Sequence, residues 1–172
     1  MNARFAFNTL AVCGAAGFAG AMLVIGLSFG AYWKSLPPAA FLDWFGGNGF
    51  LIGRAIPVFA VPTAVGLAAS LWSDRRRPEA RRFWLAAVAC MAALGLVTAA
   101  FHLPLNAAFA AKAVPLDQVP AALDRWLWLH AVRIALGLGC AAFGMAAARA
   151  SWRAPQTPSG SAPRTGRARA TA

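Results

Sequence analysis

Acidic residues are scarce in this chain: Asp and Glu together number 5, against 16 Lys and Arg, and there are only 2 His. A site built here has almost no carboxylate to draw on. The three cysteines, Cys13, Cys90 and Cys140, fall in three different apolar stretches and form no Cys-x-x-Cys pair. That pattern predicts reduced thiols acting as small apolar residues. No phosphate-binding loop is present, since Gly137-x-Gly139-x-x-x-x-Gly144 has the wrong spacing and lies inside an apolar run. The net charge of +11 comes without any recognised nucleic-acid-binding motif, so no nucleic-acid partner is assigned. Alternation of apolar and polar residues is missing too, which argues against a β-barrel.

Apolar residues fill the space these absences leave. They make up 60% of the chain, with a mean hydropathy of +0.59, too apolar for a soluble domain of this size. Four stretches stand out: Thr9–Tyr32, Phe50–Trp72, Phe83–Leu103 and Trp126–Ala148. Each has about 20 residues or more, enough to cross the bilayer as a helix that satisfies its own backbone. The expected fold class is all-α: an integral membrane four-helix bundle over residues 1–150, followed by a disordered basic tail over 151–172, rich in Pro, Ser, Gly and Arg. Arginines collect before the first stretch (Arg4), between the second and third (Arg75, Arg76, Arg77, Arg81, Arg82) and after the fourth. The positive-inside rule therefore places both termini and the central loop in the cytoplasm, in a multi-pass protein of the cell (inner) membrane. The first stretch is longer than a usual signal core and reads as an uncleaved signal-anchor. The lipid bilayer is the expected surrounding, and the sequence leaves an oligomer open.

Within this apolar text, His102, Asn106, His130 and Arg133 come to one side of the bilayer, the outer one. Ionisable groups at membrane depth are costly and mark function or inter-helix bonding. Trp126, His130 and Arg133 stand at i, i+4 and i+7, on one face of one helix. Arg133 lies about 10 Å below Trp126, too deep for an interfacial residue. Asn106 follows Pro104, where the third helix is expected to end or kink. Arg54 sits near the outer end of the second stretch. Pro57 and Pro62 should bend that stretch, and Gly26-x-x-x-Gly30 and Ala135-x-x-x-Gly139 should permit close helix approach. The segment Trp33–Gly49 carries helix breakers around Phe41, Leu42, Trp44 and Phe45, which form either an interfacial aromatic belt or a lid. Each polar residue has a competing structural role: Arg133 and His130 as inter-helix donors, Arg54 snorkelling to head groups, Trp126 anchoring at the interface. The two histidines lack a third ligand, and a guanidinium beside them repels cations, so no metal and no cofactor-binding residue is assigned.

The run Phe101-His102-Leu103-Pro104-Leu105-Asn106, then Trp126-x-x-x-His130-x-x-Arg133, resembles a large family of small four-helix membrane proteins whose named members are the fungal anthrone oxygenases. Pro104, Asn106, Trp126, His130 and Arg133 match its pattern. His102 falls outside it, and the wider likeness, in hydropathy and length, covers about Thr9–Ala148. The resemblance implies a cofactor-independent oxygenase acting on an apolar aromatic. His130 would be the general base, Arg133 the stabiliser of the anion, Asn106 the group that orients substrate oxygen and Trp126 a substrate contact. His102 and Arg54, which the resemblance does not cover, are expected to bind substrate from their place at the outer end alone. The rival expectation is a non-catalytic membrane module, a subunit or small-molecule binding bundle, in which the His/Arg/Asn cluster only specifies packing. A small-anion transporter ranks lower, because the cytoplasmic half offers no matching polar path.

Overall fold

The computed structural model describes residues 2–152. Residues 153–172, most of the expected tail, lie outside the described residues. Four helices are long and apolar enough to cross a membrane: Ala3–Ser35, Phe50–Ser73, Pro78–Ala110 and Val119–Trp152. No strand occurs among the described residues. The protein is an integral membrane four-helix bundle.

The helices outrun the apolar stretches because backbone hydrogen bonding continues into polar ends that hydropathy does not register. The first span is α1 (Ala3–Val24), a π-helical turn at Ile25–Phe29, and α2 (Gly30–Ser35). Asn2 caps it, its side chain accepting from the Arg4 N–H at 3.2 Å. A short α3 (Pro38–Asn48) precedes the second span, α4 (Phe50–Ser73). Pro78 opens the third span at a position that needs no N–H donor. That span is α5 (Pro78–Val97), a second π-helical turn at Thr98–His102, and α6 (Leu103–Ala110). Pro104 therefore does not end the helix: it falls in the first turn of α6, just past the wide turn that the Leu103 N–H closes onto the Thr98 carbonyl. The fourth span is the unbroken α7 (Val119–Trp152), which carries the helix through Ser151 and Trp152.

Packing runs α4 to α1 to α7 to α5, while the consecutive α4 and α5 touch little. The buried residues of α7 are Val119, Leu123, Trp126, His130, Arg133, Gly137, Cys140, Gly144, Ala147 and Ser151. Their steps alternate four and three, the seven-residue repeat of helices that cross at a shallow angle. Glycines set the seams. A Cβ at Gly66 would stand 2.4 Å from the Ala11 nitrogen, so α4 lies directly on α1. Gly26 and Gly30 seat α7: added Cβ atoms there would come within 3.0 Å of His130 Cδ2 and 2.7 Å of Leu127 Cδ2. Gly139 meets Cys90 Sγ of α5 instead.

The arginine-rich end is tied by one carboxylate. Asp74, fully buried at the end of α4, accepts from Trp84 Nε1 at 3.0 Å and from the Ser151 hydroxyl. Arg4 Nε lies 3.5 Å and Arg77 Nε 3.9 Å from its other oxygen. Arg77 also donates to the Ser151 carbonyl. Partners thus come from the first, third and fourth spans and from the loop. At the opposite end, Lys34 pairs with Asp124 and Lys112 with Asp43, all four side chains being exposed. Asp74→Ala should lower unfolding stability by about 3–5 kcal/mol, because it strands buried donors and cations. Asp43→Ala should cost less than about 1 kcal/mol. Thermal unfolding of both variants in detergent checks the pair; equal losses would contradict the account.

Candidate functional site

The end of the bundle opposite Asp74 holds an aromatic layer. Trp33, Phe41, Phe45, Phe109 and Trp126 are all buried there. The segment between the first two spans folds as α3, which turns Phe41, Leu42 and Phe45 inward and lays them over the layer. Trp126 stands at its centre, 2% exposed. Its indole stacks on the His130 ring at 4.7 Å with 13° between the planes. Trp33 meets it edge-on at 5.4 Å and His102 at 5.0 Å. An indole N–H only donates, so the oxygen of Asn106 faces it, accepting at 2.7 Å.

Two spans hold His130. It projects from α7, stacks on Trp126, and places Nε2 2.8 Å from the Met22 carbonyl of α1. A carbonyl only accepts, so Nε2 carries the proton and donates. In the neutral ring Nδ1 then holds a lone pair, and that atom is buried with no hydrogen-bond partner. His102 is arranged alike: Nδ1 lies 3.5 Å from the Val97 carbonyl, five residues back along the π-helical turn, and Nε2 is buried without a well-formed hydrogen bond, although the ring also lies near the Trp126 backbone. The two imidazoles are 6.1 Å apart. Wide turns of this kind are uncommon and recur at functional sites; here one lies on each side of the cluster, at Ile25–Phe29 and Thr98–His102.

Arg133 faces the bundle interior, 5% exposed. Among the described residues it has no hydrogen bond and no ion pair, and its Nε is buried without a partner. Buried polar groups are nearly always satisfied, so an unbonded guanidinium calls for an explanation. Two cavities approach the cluster. One, of about 300 Å³, lies between the third and fourth spans and reaches His102 and Trp126. The other, of about 410 Å³, lies between the first and fourth spans and reaches His130. Arg133 lines neither. Arg54 stands apart from the cluster, exposed, with its guanidinium 4.9 Å from the centre of the Phe50 ring.

Residues 44–145 match the family model described as anthrone oxygenase, which is well over half of the chain. The chain belongs to the anthrone oxygenase family. No curated protein and no solved structure matches it. The matched stretch contains Asn106, Trp126, His130 and Arg133, but it begins after the first span. Two elements that position the family residues therefore lie outside it, the Met22 carbonyl and Gly26. The carbonyl has no signature in side-chain text. Gly26 is legible as a packing glycine, though not as the floor under His130. Trp33 was also hidden, lying two residues before the end of a helix whose extent hydropathy understates.

The Trp126–Asn106 bond gives a direct test. Asn106→Leu alone leaves a buried indole N–H unpaired, whereas Trp126→Phe removes the donor as well. A double-mutant cycle on thermal stability should return a coupling of about 0.6–1.7 kcal/mol. Strict additivity would show that the bond is not made.

Proposed function

We propose that this anthrone oxygenase family member is a membrane oxygenase that uses dioxygen directly on an apolar aromatic with an acidified C–H, without a cofactor. The observation that carries the reading is the buried, unbonded Arg133 guanidinium beside two imidazole lone pairs. A guanidinium held only for packing would be bonded to helix carbonyls. One that waits for an anion keeps its donors free, and in a medium of low dielectric its charge acts strongly.

In this reading Nδ1 of His130 removes the C–H proton as general base. Arg133 stabilises the resulting carbanion and enolate, with the free amide nitrogen of Asn106 near the substrate oxygen. The carbanion adds dioxygen, forming a C–O bond and a peroxide. Loss of water then gives the quinone carbonyl, one oxygen atom leaving in the product and the other in water. The Met22 carbonyl fixes the tautomer that leaves Nδ1 free. Trp126 holds the His130 ring in plane and forms a cavity wall, with His102 as a further binding group. Arg54, on the outside of the bundle, would meet substrate only on its way in. Because Nδ1 is covered, substrate must part the aromatic layer, and the two wide turns are where the backbone can yield.

A packing-only module is the second reading. His130 and Trp126 both have internal partners that tie the first, third and fourth spans together, and this observation favours it.

Turnover separates the two. With an anthrone as substrate and oxygen uptake as the measurement, His130→Gln should remain folded and lose about 10²–10⁴-fold in rate. Arg133→Lys keeps the charge but not the planar fork, and it should be stable with strongly reduced turnover. Unimpaired oxygen uptake in His130→Gln would remove the oxygenase reading. Thermal destabilisation of both variants, in a protein that turns nothing over, would favour packing.

The arginine asymmetry supports a cytoplasmic position for both termini and for the loop at 75–82, in the cell membrane, with the histidines near the outer face. Reporter fusions after Trp152 and within Leu116–Pro120 should report opposite sides. The same side for both would overturn this topology.

A further inference from the structure

Cations at the histidine end of the bundle are not treated alike. Lys34 is paired with Asp124 and Lys112 with Asp43. Arg125 neighbours Asp124 in sequence, yet among the described residues no carboxylate lies within ion-pair distance of it. Its guanidinium is held 5.5 Å from the centre of the Phe101 ring, across the gap between the fourth and third spans. A guanidinium resting on a ring face keeps its N–H edges free for an oxygen ligand.

That gap is the cavity of about 300 Å³, whose walls include Phe101, Leu105, Arg125 and Leu129 with His102 and Trp126. Its mouth is exposed, Phe101 and Arg125 being open to the surroundings, whereas His102 and Trp126 are each 2% exposed. The backbone accounts for the opening. The wide turn at Thr98–His102 displaces the third span from its regular winding, and Pro104 follows at once. Two independent features point to a ligand here: the cation without a carboxylate at the mouth, and the buried His102 Nε2 without a partner. The walls are otherwise apolar and aromatic, the usual lining of a small-molecule site with a few fixed polar groups.

We propose that this cavity binds a flat aromatic bearing an acidic oxygen, phenolic or carboxylic, with Arg125 clamping the acidic group and His102 contacting the ring system or accepting from a hydroxyl. Arg125 is then a specificity-determining residue that selects acidic over neutral aromatics. This deepens the oxygenase reading by assigning its entry site and the chemistry it selects, and it rests on that reading for its purpose. The binding claim itself needs no turnover. Charge-assisted hydrogen bonds from a planar fork discriminate well between an anion and its neutral ester.

The test uses the full chain in phosphatidylcholine nanodiscs, with 9-anthracenecarboxylate and its methyl ester as fluorescent probes. The wild-type protein should bind the acid about tenfold or more tightly than the ester, the margin that a hydrogen bond to a charged group supplies. Arg125→Gln should abolish that margin and leave ester binding unchanged, which also shows that the variant is folded; Arg125→Lys should retain part of it. His102→Phe should weaken both probes. Equal affinity for acid and ester in the wild type, an undiminished margin in Arg125→Gln, or no binding of either probe would overturn the proposal. A protein that binds the acid selectively but consumes no oxygen with any anthrone would keep this site and remove the oxygenase reading. Oxygen uptake without the Arg125-dependent margin would do the reverse.

Discussion

A single buried carboxylate sets the register of this bundle. A carboxylate taken out of water is costly unless charge and hydrogen bonds surround it. Asp74 meets that demand from three directions, with Arg4 from the first span, Trp84 from the third and Ser151 from the fourth. Sliding any of these helices by one residue would remove a partner. The constraint reaches the far end through α7. Ser151 is the last member of its seven-residue stripe, and counting back in alternating steps of four and three arrives at Arg133, His130 and Trp126. A helix anchored at Ser151 with its stripe inward must present those three residues to the bundle interior. The positions of the motif side chains follow from a bond made at the other end of the same helix.

Between the two ends the seams are made by small residues, which suits a setting where lipid competes equally well for apolar contact. Gly66 lets α4 lie on α1, and Gly26 and Gly30 let α7 lie on α1. Gly26 does two things at once. It brings α7 close enough for His130 Nε2 to reach the Met22 carbonyl, and it leaves the room that the imidazole occupies. A larger residue there would move the histidine and its bond together.

Much of this was legible in the sequence. Long apolar runs gave four spans, and the cost of a charge in lipid gave an inward Arg133, since i, i+4, i+7 spacing leaves only one face for it. Helix extent was less legible. Hydropathy stops where side chains become polar, whereas backbone bonding continues, so the first and third spans run to Ser35 and Ala110. The end or kink expected at Pro104 is a wide turn just before it, because a proline in the first turn of α6 withholds no bond that the helix needs. Asp74 stayed hidden, as one of two acids beside five arginines reads as a solvated loop. Nothing in linear text shows that Trp84 and Ser151, 10 and 77 residues away, converge on it. The stacked pair of Trp126 and His130 was half legible: i, i+4 places them together, but the bond from indole to Asn106 depends on how the third span rises beside the fourth.

The two polar clusters differ in a way that packing alone does not require. At Asp74 one oxygen accepts two hydrogen bonds, and the other, which accepts none, faces the guanidinium groups of Arg4 and Arg77. At the histidine end the same chain leaves His102 Nε2, His130 Nδ1 and Arg133 Nε buried without partners, although carbonyls are abundant in the flanking helices. Each unsatisfied group of this kind costs about 1–3 kcal/mol, more where it is charged. Arg133 thus differs from Arg77, which bonds the Ser151 carbonyl. The bonds that are made at this end, Trp126 to Asn106 and His130 to Met22, each fix the orientation of a ring beside an atom that stays free. Satisfied groups therefore act as the frame, and the unsatisfied ones stand within it, with Arg133 lining neither cavity. That division is what a binding or catalytic cluster demands of a protein in lipid, where no water is at hand to fill the gap.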